Sequence, residues 1–109
     1  MMNSKISTIL SQVASLLAEG LKPKQIFLFG SFAQGTEQSD SDLDIFIITD
    51  LKNNNKIEIT QKARRLLLRK IYFPVDILVC DTKVFEYRRN NPSTLEHIVA
   101  TEGIKIYGN

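Results

Sequence analysis

The chain has 109 residues, 43% of them hydrophobic and 24% charged, with a net charge of +2. That length sets an expectation of one domain over residues 1–109, able to bury roughly two-thirds of its unfolded surface with no disulfide or structural metal. The charge is too small to argue for nucleic acid by itself. A single cysteine, Cys80, excludes an internal disulfide and fits a reducing compartment.

From Ile6 onward, Ile6, Ile9, Leu10, Val13, Leu16 and Leu17 fall at helical spacing and predict an amphipathic helix, which Gly20 is expected to stop. With only Lys5 ahead of this segment and no long apolar stretch, neither a signal peptide nor a membrane anchor is expected, so the chain reads as soluble and cytoplasmic. Lys22-Pro23-Lys24 predicts a turn. Gln25 to Phe29 reads as a strand, with Ile26-Phe27-Leu28-Phe29 apolar on both faces, as in an interior strand. Leu43 to Ile48 predicts a second strand, and Thr49 to Asn55, with its run of asparagines, a polar loop. Lys56 to Lys70 predicts a helix turning Ile59, Ala63, Leu66 and Leu67 to the core. Lys62, Arg64, Arg65, Arg69 and Lys70 cover its other surface: a solvated face, or a docking surface for an acidic partner or nucleic acid. No aromatics interleave with these cations, so direct nucleic-acid binding has little support.

After Pro74, Val75 to Cys80 predicts a third strand, with Asp76 set among its apolar residues and Cys80 as a buried, inert thiol. Asp81 is placed to cap a short helix through Arg89. Ser93 and Glu96 have capping-box spacing for the next helix, in which His97 is expected to serve a surface or interface role. Gly103 ends that helix and Ile104 to Tyr107 forms a last strand. Helices and strands alternate, so the fold class is α/β with one sheet.

The chemistry concentrates between the first two strands. Gly30-Ser31 opens a small-residue turn, and a polar loop ends in Ser41-Asp42-Leu43-Asp44. Side chains two apart on a strand leave the same face, so Asp42 and Asp44 stand together and repel unless a cation or base neutralises them. An EF-hand loop begun at Asp40 needs glycine and glutamate where Ile45 and Leu51 stand. A P-loop needs lysine after Gly35, where Thr36-Glu37 follows. A solvated acidic turn is the remaining alternative, and Glu37 and Asp40 are read as loop charges of that kind. Against it for Asp44 and Asp76, both carboxylates intrude into apolar strands, where an ionised group costs several kcal/mol unless compensated. Two intrusions on separate strands suggest convergence on one cation.

Gly30-Ser31, Gly35, Ser41-Asp42-Leu43-Asp44, Asp76 and the ending Glu102-Gly103-Ile104-Lys105-Ile106-Tyr107 together resemble the nucleotidyltransferase superfamily with the DNA polymerase β-like catalytic core. The resemblance is strongest to its minimal members and covers nearly the whole chain. It implies a mixed β-sheet flanked by helices, and transfer of AMP from ATP to a hydroxyl. Asp42 and Asp44 would hold two Mg²⁺ ions and the triphosphate, Asp76 would complete the site at the incoming hydroxyl, and Gly30 and Ser31 would bind phosphate. Phe32 and Gln34 stand where many relatives carry arginine; Phe32 is expected to pack, and Gln34 lacks a cation for phosphate. Minimal members commonly pair with a helical HEPN toxin, so the resemblance implies an antitoxin that adenylylates a partner tyrosine. The alternatives are an antitoxin that masks its partner without catalysis, and an adenylyltransferase for small molecules of the aminoglycoside type.

Overall fold

The computed structural model describes residues 3–52 and 55–109; Asn53 and Asn54 of the expected polar loop lie outside the described residues. The elements run α1 (Ser4–Leu21), β1 (Gln25–Phe29), α2 (Ser31–Gln34), β2 (Leu43–Thr49), α3 (Lys56–Leu67), β3 (Val75–Asp81), α4 (Thr82–Arg88), α5 (Leu95–Glu102) and β4 (Ile104–Tyr107). The strands form one mixed sheet in the order β3-β2-β1-β4, antiparallel for β2-β1 and β1-β4 and parallel for β3-β2. The parallel pair is joined through α3, as a parallel connection requires a crossover. The expected α/β class, with a central mixed sheet flanked by helices, is what the chain adopts.

Strand periodicity splits the core in two. Ile26, Leu28, Ile45, Ile47, Ile77 and Val79 turn to one face, where Leu10, Val13 and Leu17 of α1 and Ala63 and Leu67 of α3 cover them. Phe27, Phe46, Ile48 and Cys80 turn to the other, under Phe85 of α4 and Val99 of α5. Phe85 is fully buried between Phe27 and Phe46, with ring centroids 6.1 and 6.0 Å away. The α1/α3 layer is the broader one. The α4/α5 layer covers only part of its face, and the uncovered part carries the aspartates.

Several helix ends differ from the sequence reading. Helix α1 runs past Gly20 to Leu21, and Lys22 takes the left-handed capping conformation (φ 50°), donating its N–H to Ala18 O. Gly20 instead admits α3: a Cβ there would lie 2.5 Å from both terminal methyls of Leu66. Helix α3 stops at Leu67 rather than Lys70, because Leu68 is extended (ψ 132°) and Arg69 is left-handed (φ 63°). Helix α5 is capped by Thr94, whose hydroxyl accepts from His97 N–H at 3.1 Å, so the expected Ser93–Glu96 capping box does not form. Glu96 turns to Arg88 at 3.0 Å instead and joins α5 to α4.

Asp81 does cap α4, accepting from Lys83 N–H with one oxygen and from Leu51 N–H with the other, each at 3.0 Å. The Leu51 bond, with that from Lys83, holds its carboxyl below the usual range. Cys80 is buried as expected, and burial, with the Glu96 carboxylate adding to it, pushes its thiol up to about 11, so thiolate chemistry is absent at neutral pH. His97 is partly buried and its Nδ1 meets Arg89 O at 2.8 Å, tying α5 to the end of α4. Among the described residues, no helix is long and apolar enough to cross a membrane.

Candidate active site

The sheet register assembles the candidate residues. Phe29 pairs with Asp44 across β1 and β2, and Asp44 pairs with Asp76 across β2 and β3. Paired residues leave the same face of a sheet, so Asp44 and Asp76 stand side by side at one strand spacing, about 4.8 Å. They share that face with Phe46 and Leu78, just beyond the aromatic cluster under α4 and α5. Phe29 packs edge-on against Phe46, with centroids 5.9 Å apart, and closes the apolar side of the site.

Asp42 stands one residue ahead of β2, at the end of the loop that follows α2. That loop is tied by Gln38 N–H donating to Ser41 Oγ at 2.8 Å and Ser41 N–H donating to Gln38 O at 3.1 Å. Leu43 N–H donates to Pro74 O at 2.9 Å and fixes the start of β2 against the start of β3. The two ends that carry Asp42, Asp44 and Asp76 are therefore locked together.

Burial separates the three carboxylates. Asp44 is partly buried, whereas Asp42 and Asp76 are exposed. The expectation that Asp76 intrudes on a core is corrected here: β3 is a marginal strand, and α4 and α5 leave its first residues uncovered. Asp44 carries the electrostatic load. Its burial first, then the charge of Asp76, then that of Asp42, push its carboxyl above the ordinary range. The ion pairs among the described residues join Lys24 to Asp50, Arg88 to Glu96 and Arg89 to Glu86, and none reaches these three aspartates.

Gly30 supplies the closest backbone approach. It has φ 75° and ψ −154°, a region open essentially to glycine alone, and a Cβ there would strike Asp44 Oδ2. The sequence suggested a glycine that lets phosphate come near. The structure adds a second reason, the room that Asp44 itself occupies. Ser31 is partly buried and begins α2 beside this point, where the first amides of a helix lack intrahelical acceptors. Phe32 packs as expected, edge-on to Phe73 with centroids 5.9 Å apart. Gln34 is taken up by a different partner, its Nε2 donating to Glu102 Oε1 at 3.1 Å, so this departure braces α2 against the end of α5. Glu37 and Asp40 are exposed, as loop charges should be.

The donor set suits a hard cation, since it is all carboxylate oxygen, and mutual repulsion at Asp44 is what a bound cation would relieve. Among the described residues no three acidic, histidine or cysteine side chains form a ready-made metal cluster. Mg²⁺ does not need one, because its sites commonly join one or two carboxylates to substrate phosphates and water.

Comparisons with known proteins agree with the fold. The sequence pattern of the family described as polymerase beta, nucleotidyltransferase, matches residues 11–109. The chain is 32% identical over 72 residues to a Methanocaldococcus jannaschii protein provisionally named protein adenylyltransferase MJ1379, covering 62% of this chain and 72% of that one. Among solved structures, it is similar to a toxin–antitoxin with AMP-PNP (28% identity, TM-score 0.58, covering 92% of this chain and 73% of the other). It is also similar to the toxin–antitoxin MntA-HpeT carrying two aspartate-to-glutamate changes (26% identity, TM-score 0.57, 92% and 73%). A Sulfolobus solfataricus protein provisionally described as a nucleotidyltransferase shares the fold over the whole chain and 91% of its own (18% identity, TM-score 0.65). This chain is a member of the polymerase β nucleotidyltransferase family.

Proposed function

We propose that residues 1–109 act as a minimal nucleotidyltransferase domain that moves AMP from ATP to a hydroxyl, and that the acceptor is a tyrosine of a helical HEPN-type toxin. The observation that carries this reading is the pairing of Asp44 with Asp76 on one sheet face, with Asp42 ahead of it and Gly30 packed against Asp44. The similarity to toxin–antitoxin structures, one of them with AMP-PNP, supports both an ATP donor and a toxin partner.

In this reading Asp42 and Asp44 would hold two Mg²⁺ ions, and Asp76 would complete the site. The ions, when bound, supply neutralisation of phosphate charge and of the developing negative charge on oxygen. Ser31 gives its hydroxyl and amide to the β or γ phosphate, and Gly30 keeps the floor below it clear. The acceptor oxygen attacks the α phosphorus of ATP and forms an O–P bond. The bond from that phosphorus to the bridging oxygen breaks, and pyrophosphate leaves with the electron pair. The hydroxyl proton passes to the Asp76 carboxylate, which is exposed and can return it to water.

The test incubates the chain with its partner toxin, Mg²⁺ and α-labelled ATP. The expected result is label and an added AMP mass on a partner tyrosine, lost in Asp44→Asn. Label retained in that variant removes the mechanism. Toxin neutralised equally by a variant lacking Asp42 and Asp44 supports masking by contact instead. Label passing to an aminoglycoside but not to the protein identifies a small-molecule enzyme.

A further inference from the structure

The outer side of β3 combines a free strand edge, an apolar floor and positive charge, directly beside the carboxylates. β3 is marginal in the sheet and pairs with β2 in unbroken register from Val75 to Asp81. It has no bulge, proline or lysine, devices that commonly blunt an exposed edge, and its exposed charge, Asp76, turns to the face of Asp44. Because Pro74 O accepts from Leu43 N–H, alternation along the ladder turns the backbone groups of Asp76, Leu78 and Cys80 toward β2. Those of Val75, Ile77 and Val79 turn outward.

A groove follows this edge. Two hollows of about 300 and 320 Å³ lie between β3 and α3 and meet at Ile77. Apolar surface flanks them, with Ile57 68% and Leu68 66% exposed. Arg64 lines one hollow and Lys56 the other. Lys62 and Arg65 stand exposed on the same helix.

We propose that the outer edge of β3 is the acceptor-binding site of the transferase: an extended, acidic segment of the acceptor protein adds there as a further strand and presents its hydroxyl beside Asp76. The inference rests on the transferase reading and names the form of its substrate. Strand addition supplies backbone hydrogen bonds for affinity and side-chain pockets for specificity. A residue paired opposite Asp76 on the added strand leaves the sheet on the face shared by Asp44 and Asp76, about 4.5–5.5 Å away between Cβ atoms. Its neighbours on either side turn to α3, where Lys56 and Arg64 select carboxylates. A second copy of this chain fits poorly, because pairing β3 with β3 sets two basic α3 helices against each other. The substrate class is therefore a tyrosine, serine or threonine within an extended acidic stretch.

The test offers the whole chain a pool of short synthetic peptides with a central tyrosine and randomised flanks, together with Mg²⁺ and labelled ATP. Labelled peptides are expected to be rich in Asp and Glu beside the tyrosine. In the double variant Lys56→Glu, Arg64→Glu the preference should reverse to Lys and Arg. An enriched peptide should slow hydrogen exchange at the Ile77 and Val79 amides. Methylating its alternate backbone nitrogens should cut binding and labelling by roughly tenfold or more, through lost ladder bonds. Labelling indifferent to flank charge and to N-methylation overturns the proposal. So does a chain that dimerises through these amides. Protection of the two amides with no label on any peptide overturns the transferase reading, and the acceptor role with it, while leaving the strand site in place.

Discussion

Gly30 and Asp44 stand at the two ends of the β1–β2 connection and act as one unit in the fold, because the Gly30 backbone leaves only enough room for the Asp44 carboxylate. Gly30→Ala has two consequences. The dihedral pair (75°, −154°) becomes strained for an L side chain, which costs about 1–3 kcal/mol in a urea unfolding series. The new methyl also displaces Asp44 Oδ2, so nucleotide transfer falls further than stability alone accounts for. Full transfer in a destabilised Gly30→Ala chain would remove Gly30 from the site. Asp44 has its own signature in pH. Burial, then Asp76, then Asp42 raise its carboxyl above the unfolded value, so the folded chain holds a proton that the unfolded chain releases. Stability from this group is present below the unfolded value and is lost as pH rises through the raised one. Transfer runs the other way, because it needs Asp44 ionised to hold the cation, so activity should fall on the acid side of its pH–rate profile as Asp44 takes up its proton. Much of this was legible in the sequence, since the two-residue spacing and the embedded Asp76 pointed to one face. Which carboxylate is buried was not legible, because that depends on where the α4/α5 layer ends.

At the scale of elements, the three main strands and all the longer helices follow from hydrophobic periodicity, and the errors gather at helix ends. Each error has a tertiary cause. Gly20 reads as a stop, yet it lies within α1 because Leu66 of α3 packs against the space it leaves. The basic run to Lys70 reads as continuing helix, yet Leu68 and Arg69 turn the chain back toward β3. Ser93 and Glu96 fit a capping box by spacing, but Arg88 on another helix takes Glu96, and Thr94 becomes the cap. The Thr94 hydroxyl also donates within the α4–α5 connection, with Arg88 O and Asn91 O each at 2.8 Å, and the residue is buried. Thr94→Ala is therefore expected to destabilise the chain by about 0.5–2 kcal/mol, while Ser93→Ala, at an exposed position outside the cap, stays within about 0.5 kcal/mol of the parent. Chemical denaturation of the two variants side by side decides it. Equal losses would return the cap to Ser93.

At the scale of the molecule, the sheet is what turns scattered residues into a site. The sequence contained the strands but not their order, because apolar strands pair equally well on paper. Placing β2 between β1 and β3 brings Gly30, Asp44 and Asp76 together, and no local pattern specifies that choice. The same arrangement concentrates like charge on one uncovered face, with α4 and α5 stopping short of it. Such a face opposes stability in the unliganded chain and favours it once a cation and phosphates arrive. Thermal unfolding with and without Mg²⁺ and AMP-PNP separates the two contributions. Without ligand, Asp44→Asn should melt a few degrees above the parent, because it removes the raised, repelled carboxylate. With ligand at about a hundred times its dissociation constant, the parent gains about 2.7 kcal/mol by mass action. For a domain of this size that is a shift on the order of 10 °C. The variant should gain far less, so the order of melting temperatures inverts on adding ligand. An equal shift in both chains would place the nucleotide away from Asp44, and an unliganded variant that melts below the parent would mean that the carboxylate supports the fold rather than opposing it.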